Sequence, residues 1–185
     1  LPVSLGPEAS PRDLTVHVRG GVPGDVVIAV VEQTARSAIS ARVETLLTPS
    51  PDRVDARCSH VGDRDIPGKG CGGCRMQDLA PEAQWAAKGD RVRRLLAAHG
   101  VDPACVLPVL GMADPWRYRN KVELSFGDDR ARAFAVGFHP LGYHREVFAL
   151  DDCHLASAAV APLAHALSAW ADGQGLVPYK PWRNE

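Results

Sequence analysis

No apolar run in this sequence approaches the roughly 20 residues needed to cross a bilayer, so no membrane-spanning helix is expected. Leu1 to Asp13 lacks a basic stretch followed by an apolar core and does not read as a secretory signal. A cytoplasmic chain is therefore expected. There is no excess of positive charge either: 21 Lys and Arg against 22 Asp and Glu leave a formal net charge of −1. A globally basic chain would carry an electrostatic footprint for nucleic acid, so any such contact has to come from a local patch. Internal repeats and low-complexity tracts are missing as well. What is present is a globular balance, 45% hydrophobic and 23% charged over 185 residues, enough for one ordinary domain or two small ones.

The cysteines number five, an odd count. With no secretory signal, disulfides are not expected, because the cytosol keeps thiols reduced. Cysteines at short spacing then read as ligands. Cys58, the pair in Cys71-Gly-Gly-Cys74, and Cys153 make four thiolate candidates. A turn of two residues can direct both sulfurs of the pair to one centre. Gly72 and Gly73 remove side chains from that turn and permit positive φ, and backbone N–H groups there can point at anionic sulfur. Four thiolates suit a tetrahedral Zn²⁺ or a [4Fe–4S] cube. The bland alternative is a glycine turn bearing two unrelated buried thiols. One close pair plus two single cysteines, in place of two close pairs, favours iron and sulfur over zinc. The tight C-x2-C-x2-C run of bacterial ferredoxins is absent, which speaks against a small electron carrier. His60 is expected to be a hydrogen-bonding loop residue, and Cys105 a small buried hydrophobe.

Around the cysteines the pattern is α+β. Leu14 to Val18 and Ala38 to Leu47 alternate as strands, and the turn Gly20-Gly-Val-Pro-Gly-Asp25 leads from the first into the run Val26 to Val31. They predict a small antiparallel barrel or sheet over residues 1–56, closed by Pro49-Ser-Pro51. A helix is predicted over Pro81 to His99, with Trp85, Val92, Leu95 and Leu96 as its apolar face and Gly100 as its stop. Lys121 to Phe126 and Arg132 to Phe138 read as a hairpin, Val147 to Leu150 as a third strand. A second helix is expected over Ala158 to Ala171, with Ser157 as its cap and Gly173 just past its end.

Four stretches carry a family likeness. They are Cys71-Gly-Gly-Cys74-Arg-Met-Gln77-Asp-Leu79 with Gln84 and Lys88 following; Pro115-Trp-Arg-Tyr-Arg-Asn-Lys121; Gly137-Phe138-His139; and Leu150-Asp-Asp-Cys153-His-Leu155. In this order they resemble the bacterial RNA uracil-5-methyltransferases. Val22-Pro-Gly-Asp25 and Pro49-Ser-Pro-Asp-Arg53 look like parts of a TRAM domain, a small OB-like β-barrel that binds RNA. The resemblance implies a TRAM-like barrel over 1–56 and an α+β central domain over 57–185. That domain would carry a [4Fe–4S] cluster on Cys58, Cys71, Cys74 and Cys153. The family places about five or six residues between its first two ligand cysteines. Here Ser59 to Gly70 intervene, so a polar insertion around Asp63 to Lys69 is expected.

The family also uses S-adenosylmethionine, bound by a Rossmann-type domain that this chain is not expected to contain. A catalytic cysteine adds to C6 of the uracil, C5 takes the methyl group, and a base removes the C5 proton. No glycine-rich S-adenosylmethionine loop and no proline-flanked catalytic cysteine occur here, so no catalytic residue is assigned. The chain alone is expected to be inactive. RNA, ribosomal or transfer, is the expected partner, and a monomer the expected state. Arg117, Arg119, Asn120 and Lys121 are the candidate RNA-binding residues, with Trp116 as a possible stacking face and Tyr118 expected in the core. The alternative is a zinc- or cluster-stabilised RNA-binding module without catalytic output.

Overall fold

The computed structural model describes residues 15–35, 38–61, 70–129 and 132–179. They form strands β1 (Thr15–Arg19), β2 (Val26–Thr34) and β3 (Ala38–Thr48), then helix α1 (Pro81–Ala98). Strands β4 (Ser125–Asp129), β5 (Arg132–Phe138) and β6 (Phe148–Ala149) follow, and helix α2 (Val160–Gly173) comes last. The chain divides into two units. One is Leu1–Asp55 with Asp78–Ala80, the other Ala56–Gln77 with Pro81–Glu185.

In the first unit β3 is central, in the order β1-β3-β2. β2 turns back antiparallel onto β3, and β1 pairs parallel with the other edge of β3, Val16 opposite Ile39 and Val18 opposite Ala41. The expected all-antiparallel arrangement is corrected at that pair. Among the described residues the sheet has three strands and does not close into the expected OB-like barrel, since β1 and β2 each keep an unpaired edge. Residues 1–14 lie outside the described part.

The loops of this unit are tied by one buried carboxylate. Asp25 accepts from the Val22 and Ser50 backbone N–H groups at 2.8 and 2.9 Å and from the Arg53 guanidinium. Gly24 makes this possible with a φ of 94°, and a Cβ there would stand 2.8 Å from Ser50 Oγ. The two stretches quoted for the TRAM likeness are thus joined in space.

In the second unit β5 is central, in the order β4-β5-β6. β4 begins at Ser125, so Lys121 to Leu124, expected to be strand, runs in without pairing. α2 lies on β5. Ala161, Ala164, Ser168 and Ala171 recur at helical spacing and are buried, small enough to bring the helix close to Phe134 and Val136. Ser168 Oγ accepts from the Val136 N–H at 2.9 Å inside this core. The cap of α2 is Ala159, not Ser157, though Ser157 Oγ accepts from the Ala159 N–H at 3.4 Å. Its stop is Gly175, not Gly173: φ is 65° there, and the Leu176 N–H reaches Ala171 O at 3.0 Å. α1 ends in the same way at the expected Gly100, where φ is 74° and the Val101 N–H reaches Leu96 O.

The apolar face predicted for α1 is only partly covered. Trp85 and Leu96 are half-buried, whereas Val92 and Leu95 are exposed. The extended segment after the helix packs on its Trp85 and Gly89 side: Val109 meets Gly89, and Gly111 lies against the Trp85 ring.

Candidate functional site

The site is built within the second unit from three separated cysteine-bearing segments and the residues 139–141 beside one of them. Gly70 to Gly72 lie beside residues 139–141. The Gly72 N–H donates to His139 O at 3.4 Å, the Leu141 N–H to Gly70 O at 3.1 Å, and Cys71 bridges to Pro140. The Cys71 N–H reaches across to His60 O at 2.7 Å, which draws in the 3-10 turn Ser59–Val61 and Cys58 before it. The third segment, around Cys153, is joined to the second by the Asp151 N–H, which donates to His60 Nε2 at 3.3 Å.

Cys58, Cys71, Cys74 and Cys153 all line one cavity of about 500 Å³, with His60, Arg119, His139, Asp152 and His154 also on its wall. Each of the four thiols is half-buried. Burial pushes the Cys58 and Cys71 thiols up, and the neighbouring thiols push the same way. The Gly73 N–H, 3.4 Å from Cys71 Sγ, opposes this. A positively charged centre in the cavity would favour the ionised form of Cys58 and Cys71, which is the chemistry of a thiolate-ligated metal or cluster. Among the described residues no group of three or more His, Cys, Asp or Glu side chains is gathered closely enough to hold a metal ion. The expected insertion around Asp63 to Lys69 falls on residues 62–69, outside the described part.

Gly72 and Gly73 do not take the positive φ that the turn suggested. That conformation belongs to Gly70, at 71°, one residue before the first cysteine of the pair. Cys105 is exposed in a 3-10 turn, not buried, because the segment after α1 lies on the surface. His60 is the hydrogen-bonding loop residue expected, its ring 5.0 Å from that of Phe148.

No family model matches the chain. Its sequence is 33% identical over 172 residues to an uncharacterized RNA methyltransferase of Chlorobaculum tepidum, covering 85% of this chain and 34% of that protein. An uncharacterized RNA methyltransferase of Protochlamydia amoebophila is 31% identical over 161 residues, again 85% of this chain and 34% of the relative. One from Bacillus cereus is 29% identical over 178 residues, 96% of this chain and 37% of its own length. The chain is a homologue of proteins named RNA methyltransferases. It spans about a third of the length of these relatives.

The methyltransferase-like stretches meet in and around the cavity, and two glutamines explain part of why. Gln77 Oε1 accepts from the Cys58 N–H at 3.1 Å, and Gln84 Nε2 donates to Met76 O at 2.8 Å. Both stand in the stretches quoted for the family likeness, yet nothing in their local pattern announced these partners. His139 was missed as a cavity residue in the same way. Its Nδ1 meets Glu146 O at 2.7 Å, so in the neutral ring that nitrogen carries the proton.

The candidate RNA-binding residues behave differently from one another. Arg117 is paired with Asp152 at 2.6 Å, and that hydrogen bond pushes the guanidinium up and holds the Asp152 carboxyl below the usual range. Arg119 lies over the Tyr118 ring at 5.9 Å, and its backbone N–H reaches Leu155 O. Asn120 is exposed, and Lys121 is exposed beside Glu123 at 3.1 Å. Tyr118, expected in the core, is 50% exposed, because the extended stretch before β4 lies on the surface. Trp116 is half-buried, with the Arg57 guanidinium 5.2 Å over its ring and His154 at its edge.

Proposed function

We propose that this chain is the RNA-binding and [4Fe–4S]-binding part of an S-adenosylmethionine-dependent RNA uracil-5-methyltransferase. The observation that carries the reading is the convergence of Cys58, Cys71, Cys74 and Cys153, from three segments, on one cavity in a homologue of proteins named RNA methyltransferases. The four thiolates would hold the cluster. Each thiolate of a cube meets its own iron, so a cube asks for less convergence on one point than a single tetrahedral zinc does. When bound, the cluster supplies a rigid cationic link between loops far apart in sequence.

The first unit, residues 1–56, is proposed as a TRAM-like RNA-binding element. Arg119, Asn120 and Lys121, with Arg117 beside them held by Asp152, are proposed as the RNA-facing group of the second. A uracil in folded RNA has to be reached in a loop or turned out of its stack, and such a surface would grip the RNA beside it. Methyl transfer is assigned to a region of the full-length protein outside this chain, and no catalytic residue is assigned here. The target would be ribosomal or transfer RNA in the cytoplasm.

Anaerobic purification, followed by iron, sulfide and zinc analysis and absorbance at about 400 nm, tests the cluster. Iron and sulfide should be present, and should be lost on Cys→Ser change at any of the four positions but kept in Cys105→Ser. Zinc without sulfide would replace this reading with that of a zinc-stabilised RNA-binding module. Incubating the full-length protein with labelled S-adenosylmethionine and unmodified RNA tests the activity. Label on anything other than uracil C5 overturns the proposed reaction.

A further inference from the structure

We propose that Arg117 is a positioning residue whose side chain fixes residues 152–156 and so sets the Cys153 thiol against the other three cysteines. The value of that thiol rests on the cluster reading above, whereas the restraint on the loop does not. Among the described residues Arg117 is the one non-glycine residue with a left-handed backbone, φ 54°. That conformation is disfavoured for a residue with a Cβ and persists only where its surroundings hold it.

The surroundings here belong almost entirely to one short loop. The Arg117 N–H donates to His154 O at 2.8 Å, and two residues later the Arg119 N–H donates to Leu155 O at 2.8 Å. The side chain grips the same stretch. Nη1 donates to Asp152 Oδ1 at 2.9 Å, to Cys153 O at 2.8 Å and to Ala156 O at 3.0 Å, while Nη2 donates to Asp152 Oδ2 at 2.6 Å. Asp152 completes the arrangement, because its Oδ1 also accepts from the Cys153 N–H at 2.7 Å.

Both backbone polar groups of Cys153 are thereby engaged by this ion pair, in a stretch that is neither helix nor strand. The Ala156 N–H also donates to Cys153 O at 3.0 Å and the Asp151 N–H to His60 Nε2 at 3.3 Å, so the ion pair adds its side-chain grip to a turn that these bonds begin to close. The arrangement needs a planar fork that serves a carboxylate and two carbonyls at once, which an ammonium group does not reproduce.

The test follows the alkylation of each cysteine in the full chain, freed of metal by chelation, with iodoacetamide and mass spectrometry. Arg117→Ala and Asp152→Asn should each raise the Cys153 rate by about fivefold or more, with Cys58, Cys71, Cys74 and the exposed Cys105 little changed. Arg117→Lys should not restore the wild-type rate. The double variant should be no faster than the faster single, since both remove one restraint. A Cys153 rate unchanged in Arg117→Ala overturns the proposal, as does full rescue by lysine. If Arg117→Ala exposes all five cysteines by unfolding, the milder Asp152→Asn decides: a selective Cys153 response supports the restraint, a uniform or absent one overturns it. Iron analysis of the untreated wild-type chain separates the two ideas. Selective exposure of Cys153 in a chain that never held iron leaves the restraint standing and removes the cluster.

Discussion

The Asp25 side chain, fully excluded from water, accepts from both Nε and Nη2 of Arg53, 28 residues further along the chain. Arg53 also donates to Gly20 O at 3.1 Å, so one pair closes the turn before β2 onto the loop after β3.

Asp25→Ala should therefore destabilise the first unit by about 2–4 kcal/mol. It removes the carboxylate that serves two backbone N–H groups and the nearer ion pair of a half-buried guanidinium, leaving Arg53 only Gly20 O and the more distant Asp78 among these partners. The urea midpoint measures this. The pair also makes a pH prediction. The Arg53 hydrogen bond, against the opposing effect of burial, holds the Asp25 carboxyl at about 2 instead of the ordinary 3.8. A depressed pKa means that the unfolded chain takes up the proton first as pH falls. The contribution is complete above the unfolded value and disappears as pH drops through about 2. It is on the order of 1–2 kcal/mol after allowance for the partly exposed arginine. Wild type and Asp25→Asn should differ in urea midpoint near neutrality and converge in strong acid. A constant gap would contradict the assignment.

Gly137 has no room for a side chain. A Cβ there would lie 1.9 Å from Phe148 O in the neighbouring strand. Gly137→Ala should push β6 away from β5 and cost about 3 kcal/mol or more, seen as a lower thermal midpoint. Equal stability would mean that the Gly137–Ala149 register is not the one adopted in solution.

Removing the proposed metal centre should loosen loops and leave the core alone. After chelation, amide exchange is expected to speed up in residues 58–61, 70–74 and 151–156. The β5–α2 core around Phe134 and Ala164 should keep its protection. Equal acceleration in both regions would make the centre a global stabiliser, and no acceleration would deny it any role in ordering the cavity.

The proposed RNA-facing group makes a salt-dependent prediction. Arg119→Ala and Lys121→Ala should each weaken RNA binding across unrelated sequences and lower the slope of log K against log salt by about one. Filter binding over a salt series reads this directly. A variant that weakens binding without changing the slope would be acting through stacking or folding, for instance through the Arg119–Tyr118 contact.

The strands and helices were legible from local pattern. The apolar run at Val26 to Val31, alternation at Ala38 to Leu47, and proline, acid and glycine around α1 are short-range signals that neighbouring residues settle among themselves. The boundaries that moved did so for tertiary reasons. Lys121 to Leu124 alternates like a strand but joins no sheet among the described residues, and Val92 and Leu95, placed on the predicted apolar face of α1, are exposed. Cys105 and Tyr118 were misjudged for the same reason, since residue type does not say which loops lie on the surface.

By itself, the order of residues determined which cysteines were available and which segments were strand, helix or turn, because those depend on chemistry and on contacts a few residues apart. Only the tertiary structure decided that the four sulfurs share a cavity, that Gln77 braces Cys58, and that Arg117 reaches back over Asp152 and Cys153. Those are contacts between groups 19 to 36 residues apart or more. Their partners are chosen by how the chain closes on itself, which no local pattern encodes.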